Sequence, residues 1–170
     1  MKTGSTMDDR RITIAELREQ QRHNWPKAYD ESQPAILRLL RTYDMFSRES
    51  GELMSSQGLQ SAEFDVLAAL RRQSPPHCVS PTQLCSALLI SSGGLTKVLK
   101  RLETAGWIER PANPNDGRSQ LVQLSESGKK KAEDTMTLLC NLHRKWLAPL
   151  SEDETAQFDR LLEALITGRD

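Results

Sequence analysis

The sequence predicts a mainly α-helical chain with one small β-hairpin. Apolar residues recur at helical spacing over most of its length. A short helix, a tight turn and a second, two-faced helix follow one another between residues 80 and 105. Two short strand-like runs and two further helices come directly after. The 170 residues suit one domain, or one domain with an appendage. A hydrophobic fraction of 37% is low for a lone globule, so a partner chain is expected to complete some apolar surface.

Each element has its own signal. Residues 1–12 are polar, without a period, and expected to be mobile. Residues 13–25 carry Ile14, Leu17 and Trp25 among charges, which predicts a short helix that survives only by docking. Ser32-Gln33-Pro34 is a helix start, and Ile36, Leu39, Leu40, Tyr43 and Phe46 line one face of the helix it opens. Gly51 and Gly58 frame the stretch that ends it. Ser61 is the expected cap of the next helix, with Phe64, Leu67, Ala68 and Leu70 inside and Ser74-Pro75-Pro76 as breaker. Cys78-Val79 leaves room for a minimal strand. Ser80-Pro81-Thr82-Gln83 combines a capping box with proline at the first helical position. Ile90-Ser91-Ser92-Gly93-Gly94 is a turn with a built-in cap, and the helix after it stops at Gly106. Trp107–Arg110 and Leu121–Leu124 make a hairpin whose tip, Pro111–Gly117, is dense in turn residues. Ser125 opens a long helix faced by Ala132, Met136, Leu139, Leu142 and Trp146. After Pro149, Ser151–Glu154 is a capping box for a last helix with Phe158, Leu161, Leu162, Leu165 and Ile166.

Helix–turn–helix followed by a hairpin is the winged helix layout, whose second helix enters the DNA major groove. Residues 92–105 have the two faces this requires. Leu95, Val98, Leu99 and Leu102 are apolar; Gly93, Thr96, Lys97, Lys100 and Thr104 form a small, cationic row. Such a row can approach a groove and touch phosphates and base edges. In the wing, Arg118 is placed to enter a minor groove, with Asp116 bracing its guanidinium and Ser119 beside it. Ser91 and Ser92 complete the expected DNA contacts. The chain is neutral, with 23 basic and 23 acidic residues, yet the charge is segregated. Residues 71–124 hold Arg71, Arg72, Lys97, Lys100, Arg101, Arg110 and Arg118 against Glu103, Glu109 and Asp116, a local excess of +4.

With these segments in place, residues 34–167 resemble the multiple-antibiotic-resistance-regulator (MarR) family of bacterial winged-helix transcription factors. Phe64-Asp65-Val66-Leu67, Leu95-Thr96-Lys97, Arg101-Leu102-Glu103, Ala105–Arg110, Asp116–Ser119 and Leu124–Gly128 carry the likeness. It implies a homodimer joined by the first and last two helices. It also implies palindromic operator DNA bound by residues 91–104 and the wing, and release by a small ligand or by oxidation, with repression as the expected outcome. The urate-responsive branch is more similar still, because it adds an N-terminal helix bearing a tryptophan. The likeness then makes Trp25, Asp65 and Thr96 ligand contacts, with Val98 where the branch has an arginine. An anionic purine wants a cation to offset burial, so the ligand expected here is a small aromatic molecule, neutral or weakly acidic. Trp25 serves equally as a docking anchor for the extra helix, and Asp65 as an ion-pair partner near a helix start.

Other classes have less behind them. There is no GxSxG, no phosphate-cradling glycine loop and no His-Glu-x-x-His, so no enzyme is expected. Neither a cofactor nor a metal is expected, since Cys78 and Cys85 lack zinc-ribbon spacing. A redox-sensing regulator of the same fold, using Cys78 or Cys85, is the alternative trigger; Cys140 suits a packed core. The odd cysteine count and the absence of a leader or a long apolar run point to a cytoplasmic protein without a membrane partner. The organisation expected is an N-terminal extension over 1–33, a dimerisation region over 34–60 and 125–167, and a DNA-binding region over 61–124.

Overall fold

The computed structural model describes residues 12–88, 90–114 and 116–168. The readings made for residues 1–11, and for Leu89 and Asn115, lie outside them. By its contacts the chain divides into two compact units, residues 1–49 and 50–170.

The first unit holds α1 (Ile14–Asn24), α2 (Pro26–Glu31) and most of α3 (Pro34–Ser56). Thr13 caps α1: its hydroxyl accepts from the Glu16 N–H, and the Glu16 carboxylate accepts from the Thr13 N–H. The one helix expected over 13–25 is α1, and a second short helix, α2, follows it unforeseen. Trp25 leaves the helical region at φ −149°, ψ 67°, and Pro26 restarts the helix at its first position. Proline disfavours helical backbone in the residue before it, and that is the cause of the break. Arg18 holds α1 to α2. Its guanidinium donates to the Tyr29 carbonyl and to the Ser32 hydroxyl, both at 2.8 Å, and lies 4.0 Å from the Tyr29 ring centre.

The second unit starts in the last turns of α3, which continues through Gly51. A lone helical glycine costs only about 1 kcal/mol, and burial of Met54 opposes it. The helix ends at Gly58, whose φ of +69° suits glycine, and the Leu59 N–H reaches back to the Met54 carbonyl. Then come α4 (Ser61–Arg71), β1 (Cys78–Val79), α5 (Pro81–Leu88), α6 (Ser92–Thr104), β2 (Ile108–Glu109), β3 (Ala112–Asn113), β4 (Asp116–Gln120), β5 (Val122–Leu124), α7 (Glu126–Leu147) and α8 (Glu152–Thr167). The cap of α4 is one residue earlier than expected: Gln60 precedes it, and Ser61 is its first residue.

α4 is the centre of the core. Val66, Leu67 and Leu70 are fully buried, and Leu84, Leu95, Leu99, Leu102, Ile108, Val122 and Ala132 pack with them from α5, α6, β2, β5 and α7. Each such leucine contributes about 1.5–3 kcal/mol by leaving water.

The expected strand pair is present as β2 and β5, in register Ile108 to Leu124 and Glu109 to Gln123. Two features were not expected. β1 joins the far side of β5, giving the antiparallel order β1-β5-β2. The turn-rich stretch is itself partly strand, since β3 and β4 pair from Ala112–Gln120 to Asn113–Asp116 across an irregularity in register. β3 has only two residues, and β4 is the polar run Asp116–Gln120 without apolar alternation, so turn composition masks both.

Candidate nucleic-acid interface

The second helix of the helix-turn-helix, α6, begins at Ser91. The Ser91 hydroxyl accepts from the Gly94 N–H at 3.2 Å. The two faces predicted for α6 are distinct in the structure. Leu95, Val98, Leu99 and Leu102 are buried, whereas Ser92, Gly93, Thr96, Lys97, Lys100 and Thr104 are exposed. A side chain built at Gly93 would meet nothing within 4 Å, so this position opens directly on solvent. The Thr96 and Thr104 hydroxyls donate to the Ser92 and Lys100 carbonyls one turn back, at 2.9 and 2.8 Å. Each threonine therefore presents a methyl group and an acceptor oxygen, which can meet a thymine methyl or a base amino group.

The far end of α6 is held as firmly as its start. Gly106 adopts φ +72°, and its carbonyl accepts from the hydroxyls of both Ser125 and Ser127, each at 2.7 Å. The Ser125 hydroxyl also accepts from the Gly128 N–H, and its own N–H donates to the Trp107 carbonyl. The start of α7 is thereby bonded to the turn that follows α6.

In the wing, the Asn113 amide donates to the Ser119 hydroxyl at 3.0 Å, which in turn donates to the Asp116 carbonyl. Ser119 thus shapes the turn. Arg118 lies on β4, but its side chain is outside the described residues, and so is the expected brace from Asp116. At the wing's base the Arg110 Nε donates to the Leu121 carbonyl, and the Leu121 N–H donates to the Pro111 carbonyl, both at 2.9 Å.

Of the expected ligand contacts, Trp25 belongs to the first unit and Asp65, Thr96 and Val98 to the second. Trp25 is exposed at the α1–α2 junction of the first unit. Asp65 is exposed on α4; desolvation by its neighbours pushes its carboxyl above the ordinary value, and Arg72 partly offsets this. Val98 is only 9% exposed and packs in the core, on the opposite side of α6 from Thr96. Thr96 instead lines a groove of about 430 Å³ together with Cys85, Leu95, Leu99 and Arg110. Arg110 puts a guanidinium on the wall of the same groove. Burial pushes the Cys78 thiol up, away from the thiolate that reactivity needs.

Two ion pairs were not foreseen from the sequence. The Arg101 Nε lies 2.7 Å from Glu63 Oε1, and the Arg71 Nε lies 2.8 Å from Glu133 Oε1. Both acids stand outside residues 71–124, so part of the local cationic excess is neutralised within the fold. Lys97 and Lys100 are exposed and in no ion pair among the described residues.

A helix–turn–helix packed by one face on α4, with a paired β-hairpin after it, defines a winged helix protein. The MarR family profile matches residues 57–119. The regulator PecS of Dickeya dadantii is 33% identical over 153 residues, covering 90% of this chain and 92% of that one. The multiple antibiotic resistance protein MarR of Escherichia coli is 34% identical over 116 residues, 68% of this chain and 78% of that one. A crystal structure of a mutant of the same MarR superposes with a TM-score of 0.68 at 31% identity, over 80% of this chain and 98% of that one. That mutant in complex with operator DNA gives 0.62 at 32% identity, over 77% and 95%. The chain belongs to the MarR family. It is of the regulator class of these relatives and not an enzyme. No helix among the described residues is long and apolar enough to cross a membrane.

Proposed function

We propose that this protein is a homodimeric transcriptional repressor that binds a palindromic operator through α6 and the wing, and is released by a small aromatic acid. One observation carries the DNA-binding reading: α6 is packed tightly on one face, while its other face holds Gly93, Thr96, Lys97 and Lys100 in solvent. The operator complex of the E. coli relative supports it.

Dimerisation is supported by apolar surface. On α8, Phe158, Leu161, Leu165 and Ile166 are exposed; on α3, so are Ile36, Leu40 and Tyr43. Apolar residues exposed along one helix face in this way mark a partner surface. A two-fold pair would present two recognition helices to half-sites roughly 34 Å apart. The effector reading rests on the groove at Thr96, where an aromatic ring would lie on Leu95 and Leu99 with its carboxylate toward Arg110. A ligand there would touch α6 directly.

Titration of a palindromic duplex by fluorescence anisotropy tests the first part. Arg118→Ala should weaken binding by about 1–3 kcal/mol, the range of a good groove contact. Undiminished affinity would remove the wing. A thermal-shift screen of aromatic acids tests the effector, with stabilisation expected to vanish in Arg110→Gln. Equal stabilisation of that variant would place the ligand elsewhere.

A further inference from the structure

We infer that Arg101 positions the recognition helix rather than contacting DNA, and that the buried carboxylate of Glu63 is the anchor it uses. This rests on the DNA-binding reading above. Arg101 follows Lys100 on α6 and its side chain is 54% exposed, so by sequence and by exposure it belongs with the phosphate-binding cations. Its bonding assigns it another part. Its Nε lies 2.7 Å from Glu63 Oε1, and the Glu63 side chain is 3% exposed. The other carboxylate oxygen accepts the Gln60 N–H at 2.7 Å. Both oxygens of a buried anion are thus engaged, one by the start of α4 and one by α6.

The asymmetry between the partners decides where Arg101 stays. A guanidinium that swung out to a phosphate would leave Glu63 buried with a single N–H for company, and an unpaired buried carboxylate is strongly unfavourable. A phosphate in water offers no comparable gain. The anchor is also the right one. Glu63 sits in the first turn of α4, where the helix dipole favours an anion, and α4 continues into the fully buried Val66, Leu67 and Leu70. Apolar packing beneath α6 is non-directional and leaves its tilt and rotation soft. The Arg101–Glu63 ion pair ties α6 to the start of α4 at one defined point, and base readout needs recognition groups held within about 0.5 Å.

The test compares operator and non-specific duplexes across a salt series, well below each variant's melting temperature. Glu63→Gln is the decisive variant, because it is isosteric and removes no cation. If Arg101 were a phosphate contact, Glu63→Gln would free it and strengthen binding to both duplexes. Positioning predicts the opposite: Glu63→Gln and Arg101→Ala each weaken operator binding on the order of tenfold. Non-specific affinity and salt slope should not change, and the double variant should be no worse than either single one. Lys100→Ala is the control and should lower both affinities and the slope by about 1. The inference is overturned if Arg101→Ala lowers the slope as Lys100→Ala does, or if both variants lower only the melting temperature. It also falls if Glu63→Gln binds the operator as well as or better than the unmodified protein. An unmodified protein that shifts no palindromic duplex at any salt would remove the DNA-binding reading itself, and this inference with it.

Discussion

Gly128→Ala pits helix propensity against packing. Gly128 lies in the first turn of α7. By propensity alone, alanine in a helix should stabilise by about 1 kcal/mol. A Cβ at this position, however, would lie 1.8 Å from the Trp107 carbonyl oxygen and 2.7 Å from its carbon. Ordinary contact needs roughly 3.5 Å, so α7 and the chain at Trp107 must part by well over an ångström. The clash is with backbone, which has no rotamer to change. Parting also strains the bonds from Ser125 and Ser127 to the Gly106 carbonyl and from the Ser125 N–H to the Trp107 carbonyl. Overpacking costs about 1–3 kcal/mol, and each lost hydrogen bond about 0.5–1.5. Even after the propensity gain, a net loss of about 2–4 kcal/mol is expected, or roughly 5–15 °C in melting temperature for a chain of this size. Urea and thermal unfolding of the purified variant measure it. A midpoint equal to or above that of the parent would refute the packing argument and leave propensity in control.

Three further outcomes are expected of the same structure. Gly93→Gln, by contrast, meets open space, so unfolding midpoints should hold within about 0.5 kcal/mol, while operator titration should show a clear loss; full operator binding would take Gly93 out of the interface. Asp65 has a carboxyl raised by desolvation, so the folded state binds its proton more tightly than the unfolded chain, and stability falls as pH rises from the unfolded value through the folded one. Asp65→Asn should therefore be no less stable than the parent at neutral pH, with any gain shrinking at acid pH; a melting temperature depressed at pH 7 would contradict this. Val98→Arg places a cation in the core and should destabilise by several kcal/mol, without creating a ligand contact; a well-folded variant by calorimetry would show that Val98 can turn outward.

The two faces of α6 were legible in the sequence because a helix writes its burial into a 3.6-residue period, and Leu95, Val98, Leu99 and Leu102 follow it. The caps at Ser91, Ser125 and Ser151 were legible for a similar reason: they act on backbone three residues away. What was hidden lies between elements distant in sequence. Nothing near Glu63 announces Arg101, and nothing near Gly106 announces that Ser127 will reach it. Val98 shows a different gap. Matching it to a family position assigned it a ligand wall, but its place in the period already put it in the core. The break at Trp25 could have been found, since Pro26 is itself a helix-start signal.

The bonds at the base of the wing have a consequence for how such a protein can diversify. Arg110 and Pro111, just after β2, are tied to Leu121, just before β5, and below that tie β2 and β5 already belong to a sheet completed by β1. β3 and β4 pair only with each other. Everything beyond the tie is an excursion that closes on itself. Doubling the length of a flexible loop costs only about 0.6 kcal/mol in closure entropy, so insertions, deletions or exchanges at residues 112–120 leave the stability of the rest of the domain nearly untouched. A chain built this way can search for new operators at the tip while the sheet beneath keeps its register.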